Sequence, residues 1–123
     1  CNYLEKILAR SEARNRGFDE CVQLNERGEI TSGAMANLFW LKDERLFTPS
    51  RKTGCVPGIT RLMILETLKL DDARCVEVET GIGELDSADE IYVTSAGLGI
   101  VQVAEFHGRR LECNDPFGLT QLV

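Results

Sequence analysis

Residues 21–49, CVQLNERGEITSGAMANLFWLKDERLFTP, hold two strand pairs in succession. The apolar alternation of Cys21-Val22-Gln23-Leu24 breaks at Asn25-Glu26-Arg27-Gly28 and resumes from Ile30, the pattern of a hairpin. The next segment repeats it: Asn37 to Leu41 and Leu46 to Thr48 pair across Lys42-Asp43-Glu44-Arg45, and Pro49 closes the second strand because it has no N–H to give to a ladder. The middle of the chain is therefore an antiparallel sheet.

Upstream, Asn2 followed by Glu5 reads as an N-cap with its reciprocal partner, predicting a helix from about Tyr3. Leu4, Ile7, Leu8 and Ser11 trace one face of it, and Arg14-Asn15-Arg16-Gly17 gives a basic last turn and a stop. Downstream, Pro57-Gly58 is a turn and a second helix starts near Ile59, with Ile59, Leu62, Met63, Glu66 and Leu68 as its mostly apolar face. CVEVETGIG is then a short strand, ELDSADE a helical turn, IYVTSA a strand, and IVQVAEFHGRRLE a hairpin turning at His107-Gly108. The predicted order α-β-β-β-β-α-β-α-β-β-β is α+β and mostly antiparallel, not a run of βαβ units. No segment repeats and no low-complexity linker divides residues 1–123, so a single domain is expected.

The chain has 123 residues, enough to bury a core without staples, and its 43% hydrophobic and 28% charged residues are ordinary for a globular domain. Fourteen Lys+Arg against twenty Asp+Glu leave a net charge of -6, which disfavours nucleic acid and anionic membrane surfaces as partners. The basic doublets Arg51-Lys52 and Arg109-Arg110 fall in polar stretches and read as solvated loops. Cys1, Cys21, Cys55, Cys75 and Cys113 are widely spaced, with no CxxC and a single histidine. That pattern predicts a reducing, cytoplasmic setting and no structural metal.

Several residues carry chemistry worth weighing. Cys1 offers a thiol and an α-amine together, as in N-terminal nucleophile hydrolases, although those enzymes place the nucleophile at a strand start and Cys1 precedes a predicted helix. His107 has the chemistry of a general base but sits at a turn. Asp86, Asp89 and Glu90 are acidic enough for a metal site, yet are expected to favour a helix start or face solvent. GIGELD and AGLGIV lack the full dinucleotide fingerprint. Two places can offer backbone N–H groups to an anion: the helix start Gly58-Ile59-Thr60 and the strand-end turn Thr94-Ser95-Ala96-Gly97. Facing one another, they would form one phosphate cradle.

The ordered strings NYLEKILARSEA, GFDECVQLNERGEITSGAMANLFW, LFTPS, GITR, ADEIYVTSA and GIVQV resemble the C-terminal domain of the class IV aminotransferases. These fold-type IV pyridoxal-phosphate enzymes include branched-chain aminotransferases, D-amino-acid aminotransferases and 4-amino-4-deoxychorismate lyases. The resemblance implies an α+β domain built on a mostly antiparallel sheet or pseudo-barrel with about two main helices. It implies that residues 1–123 are the cofactor-binding domain of a longer enzyme, whose N-terminal domain and Schiff-base lysine lie upstream of Cys1. By the same match, Tyr3 bonds the phenolic oxygen of pyridoxal 5'-phosphate, Ile59 and Thr60 take its phosphate, and Ser95 and Ala96 supply a second phosphate contact. Ala96 stands where relatives often carry a hydroxyl residue, which leaves its backbone amide for that contact.

Ser32 departs from the family pattern, which usually has glutamate facing the pyridine nitrogen. A hydroxyl bonds that nitrogen without stabilising its positive charge, so the ring becomes a weaker electron sink. The ANLFW string leans toward the lyase branch. The expected activity is aminotransfer or aminodeoxychorismate-lyase-like chemistry on an amino-acid or amino-chorismate substrate, by a homodimer, with this piece inactive alone. Two other functions stand beside it: a Cys1 hydrolase, and a non-catalytic binding domain derived from the fold.

Overall fold

The computed structural model describes residues 2–6, 19–33, 36–69, 75–95 and 99–122. Its strands are β1 (Asn2–Lys6), β2 (Asp19–Leu24), β3 (Ile30–Gly33), β4 (Asn37–Lys42), β5 (Arg45–Pro49), β6 (Cys75–Val78), β7 (Glu90–Ser95), β8 (Gly99–Phe106) and β9 (Arg109–Arg110). Helix α1 (Ile59–Lys69) links β5 to β6, and the single turn α2 (Gly83–Asp86) links β6 to β7. The strands form one sheet in the order β3-β2-β1-β8-β7-β4-β5-β6, with β9 paired to β8. Every pairing is antiparallel except β5 with β6, so the α+β, mostly antiparallel expectation holds.

The sheet curls until its edges meet. The Ile30 N–H donates to the Thr80 carbonyl at 2.7 Å, and Glu29 bridges Gly81. Edge strand β3 is thereby tied to the chain that continues from edge strand β6, which satisfies backbone groups an open edge would leave unpaired. This is the pseudo-barrel implied by the resemblance.

Burial on both faces explains the unbroken apolar run in β4. Leu38 and Trp40 join one cluster with Ile91, Val93, Val101, Val103 and Leu85, whereas Phe39 and Leu41 join another with Tyr92, Ile100 and α1. The β4–β5 and β8–β9 hairpin turns each use two consecutive positive-φ residues, Asp43-Glu44 (52° and 65°) and His107-Gly108 (50° and 75°), the backbone that matches strand twist in two-residue loops.

Two predicted elements are corrected. Asn2–Lys6 is a strand, not the start of a helix: Asn2 to Glu5 pair with β2 and Leu4 to Lys6 with β8. Ladder partners on both sides satisfy the backbone groups that a capped helix would have bonded internally, and this tertiary pairing overrides the local capping signal. Residues 7–18, with the rest of that predicted helix, lie outside the described residues, as does Cys1. In α1 the buried face is Arg61, Ile64, Leu65 and Leu68, while Ile59 and Leu62 are exposed. The helix is where it was expected and buries Leu68 as expected, but it is turned so that Arg61, Ile64 and Leu65 take the place of Ile59 and Leu62 on the buried face.

Candidate functional site

The loop that enters α1 is fastened to the first residue of β4. Asn37 is buried, and its Nδ2 donates to the Val56 carbonyl at 2.6 Å. Gly58 lies directly against Asn37, because a Cβ added there would run into Oδ1. Only glycine permits that approach. Asn37 also pairs with Thr94 across the sheet, so the start of α1 and the end of β7 meet at one end of the barrel. Ile59 is 88% exposed, which keeps the first turn of α1 open, and that turn contains no acidic residue. Unpaired amides at the positive end of a helix dipole favour an anion there.

The predicted site residues fall into two groups. Ile59 and Thr60 occupy the first turn of α1, and Ser95 ends β7 with its backbone opposite Gly99. Ala96 lies outside the described residues. Ser32 is buried in β3 opposite Gln23, and Tyr3 lies in β1 opposite Cys21, so β2 runs between them. Leu4, next to Tyr3, pairs with Phe106, at the far end of eight-residue β8 from Gly99, roughly 25 Å of extended chain away. The structure brings Ile59, Thr60 and the end of β7 together; it sets Tyr3 and Ser32 on either side of β2.

The opposite end of β4 and β7 has another character. Leu41 pairs with Glu90 there, beside a cavity of about 500 Å³ lined by Glu44, Asp89, Glu90, Glu112 and Phe117. Contrary to the sequence expectation of a helix start or a solvent-facing acid, Glu90 begins strand β7 and is buried. It is 1% exposed and accepts from the Tyr92 hydroxyl (2.9 Å), Gln102 Nε2 (2.6 Å) and the backbone N–H groups of Asn114 (3.3 Å) and Asp115 (2.9 Å). Burial and then the Glu90 charge push the Tyr92 hydroxyl well above its usual range, and the same two causes raise the Cys113 thiol. Among the described residues no three His, Cys, Asp or Glu side chains come together so as to hold a metal ion.

His107 stacks on Phe106 at 3.9 Å between centroids, and its Nδ1 lies 2.9 Å from Asp86 Oδ1. Both contacts fix a surface turn. Arg109, expected in a solvated loop, lies in β9 and donates to the carbonyls of Leu85 (3.1 Å) and Ala88 (2.8 Å). Local sequence gives no signal for Asn37, the first residue of a predicted strand, because its partner Val56 lies 19 residues away, and none for Arg61.

Comparison with known proteins follows the same residues. The family model for amino-transferase class IV matches residues 1–106. An aminodeoxychorismate lyase from Vibrio harveyi is 31% identical over 117 residues, 95% of this chain and 43% of that protein. The structure of the branched-chain amino acid aminotransferase from Escherichia coli superposes with a TM-score of 0.75 at 30% identity, covering 83% of this chain and 36% of that one. An aminotransferase from Brucella abortus, bound to the cofactor PLP, gives 0.72 at 25% identity over 86% of this chain and 37% of its own. The chain thus spans less than half the length of each protein compared.

Proposed function

The chain belongs to the class IV aminotransferase family, and on that premise we propose that residues 1–123 are the C-terminal, cofactor-binding domain of a longer pyridoxal-phosphate enzyme. The observation that carries this reading is the meeting of the α1 start with the end of β7 at Asn37. Its chemistry fits the cofactor's phosphate: a helix first turn with an exposed Ile59 and no acid, and a backbone approach that a side chain at Gly58 would block.

In this reading the amides of Ile59 and Thr60 and the Thr60 hydroxyl hold the phosphate, with the Ser95-Ala96 turn as second contact. Ser32 faces the pyridine nitrogen, and Tyr3 enters on the family match alone. The bound cofactor would supply an electron sink for the carbanion at the substrate Cα. A neutral Ser32 leaves that sink weaker than a carboxylate would. The lysine expected upstream of Cys1 moves the proton, and the upstream domain covers the other side of the cleft. The full protein acts as a cytoplasmic homodimer on an amino acid or an amino-chorismate.

Adding pyridoxal phosphate to the full-length protein is expected to give the absorbance of a lysine-bound cofactor, and residues 1–123 alone are expected to give none and no turnover. A specific lysine-bound cofactor on residues 1–123 would contradict the domain assignment. Supplying branched-chain amino acids and aminodeoxychorismate in parallel separates aminotransferase from lyase. Ser32 favours one second reading, a domain that binds cofactor without turnover, and Ser32→Glu in the full-length protein tests it: recovered turnover in an inert protein would support that reading.

A further inference from the structure

Arg61 lies in the first turn of α1, where the helix dipole disfavours a positive charge. It is nevertheless 4% exposed, and its Nε is buried with no hydrogen-bond partner. Both features oppose stability, and an apolar residue on the face shared with Ile64, Leu65 and Leu68 would avoid them. What Arg61 does gain is attachment. Its Nη2 donates to the Pro49 carbonyl at 3.0 Å and pairs with Glu77 Oε1 at 2.7 Å. Pro49 ends β5, and Glu77 lies in β6 opposite Thr48.

The guanidinium therefore ties the first turn of α1 to two parallel strands, while the Asn37 contacts with Val56 and Gly58 tie the preceding loop to β4. Ile59 and Thr60 lie between these two anchors. Resting on the cofactor reading above, we propose that Arg61 is a positioning residue, which with Glu77 holds the first-turn amides in the orientation that receives the phosphate. Backbone N–H donors have no rotamer to adjust, and their bonds weaken steeply off line, so their aim depends on how the turn is held. Glu77 balances the guanidinium charge, which makes the contribution one of placement rather than of added positive potential.

The test compares the affinities of the full-length protein for pyridoxal phosphate and for pyridoxal, which lacks the phosphate, by equilibrium binding. In Arg61→Met the preference for the phosphorylated form is expected to fall about tenfold, the worth of one hydrogen bond to a charged group, with pyridoxal affinity unchanged. Arg61→Lys and Glu77→Gln are expected to show smaller losses in the same ratio, and they decide the matter if Arg61→Met does not fold. A purely structural role would lower the melting temperature and leave the ratio alone; an unchanged ratio in folded variants overturns the proposal. Wild-type protein with no preference for the phosphorylated form would instead overturn the cofactor reading itself, and the anchor's role with it.

Discussion

Strands β4 and β7 run side by side from the Thr94 pairing of Asn37 to the Glu90 pairing of Leu41, and the two ends of this ladder are built oppositely. At the Asn37 end, a loop backbone is pressed against a buried amide and a helix begins with its first turn open and free of acids. At the Glu90 end a buried carboxylate already collects four donors, and further acids line the cavity beside it. Donors left open attract an anionic ligand; donors already engaged by an internal carboxylate hold the fold. One end is thus suited to binding and the other to stability, within a single pair of strands.

The largest effect expected at the closed end follows from removing its acceptor. Glu90→Ala leaves the Tyr92 hydroxyl, Gln102 and two backbone N–H groups without their shared partner, and should lower unfolding stability by about 3–4 kcal/mol in denaturant titration. The preference for pyridoxal phosphate over pyridoxal should persist in the folded protein. A collapse of that preference with stability intact would break the division between the ends.

Gly58→Ala is the complementary change at the open end. The new Cβ meets Asn37 Oδ1, whose side chain is buried and bonded to Val56, so the loop must shift. A stability loss of about 2 kcal/mol is expected, accompanied here by a weaker preference for the phosphorylated cofactor. Retention of full preference would show that the loop position does not matter to phosphate binding.

A smaller effect, visible only in alkali, sharpens the comparison. Burial and Glu90 hold the Tyr92 proton in the folded protein, whereas an unfolded tyrosine ionises near pH 10. The unfolded chain therefore binds fewer protons above that pH. The Tyr92 contribution to stability is complete below about pH 10 and is lost at about 1.4 kcal/mol per pH unit above it. Denaturation midpoints measured across this range should lose that dependence in Tyr92→Phe.

What could be read from the sequence was set by local rules. The hairpins at residues 21–33 and 37–49 announce themselves through alternation and polar turns, and the helix start at Ile59 through Pro57-Gly58. The Ile59-Thr60 and Ser95 positions were legible as motif steps, and the structure places their elements at one barrel end. Illegible features have distant causes. Asn2 and Glu5 look like a capping pair, but β2 and β8 claim their backbone. Ile59 and Leu62 look like core, yet Pro49 and Glu77 draw Arg61 inward and turn the helix. Glu90 looks solvent-facing until Gln102 and residues 114–115 fold over it.

A crystal structure of the full-length protein grown with pyridoxal phosphate tests the central claim most directly. The phosphate is predicted within hydrogen-bonding distance of the Ile59 and Thr60 amides, with the turn after Ser95 on its other side. A phosphate bound away from the start of α1, with those amides facing solvent, would contradict the account.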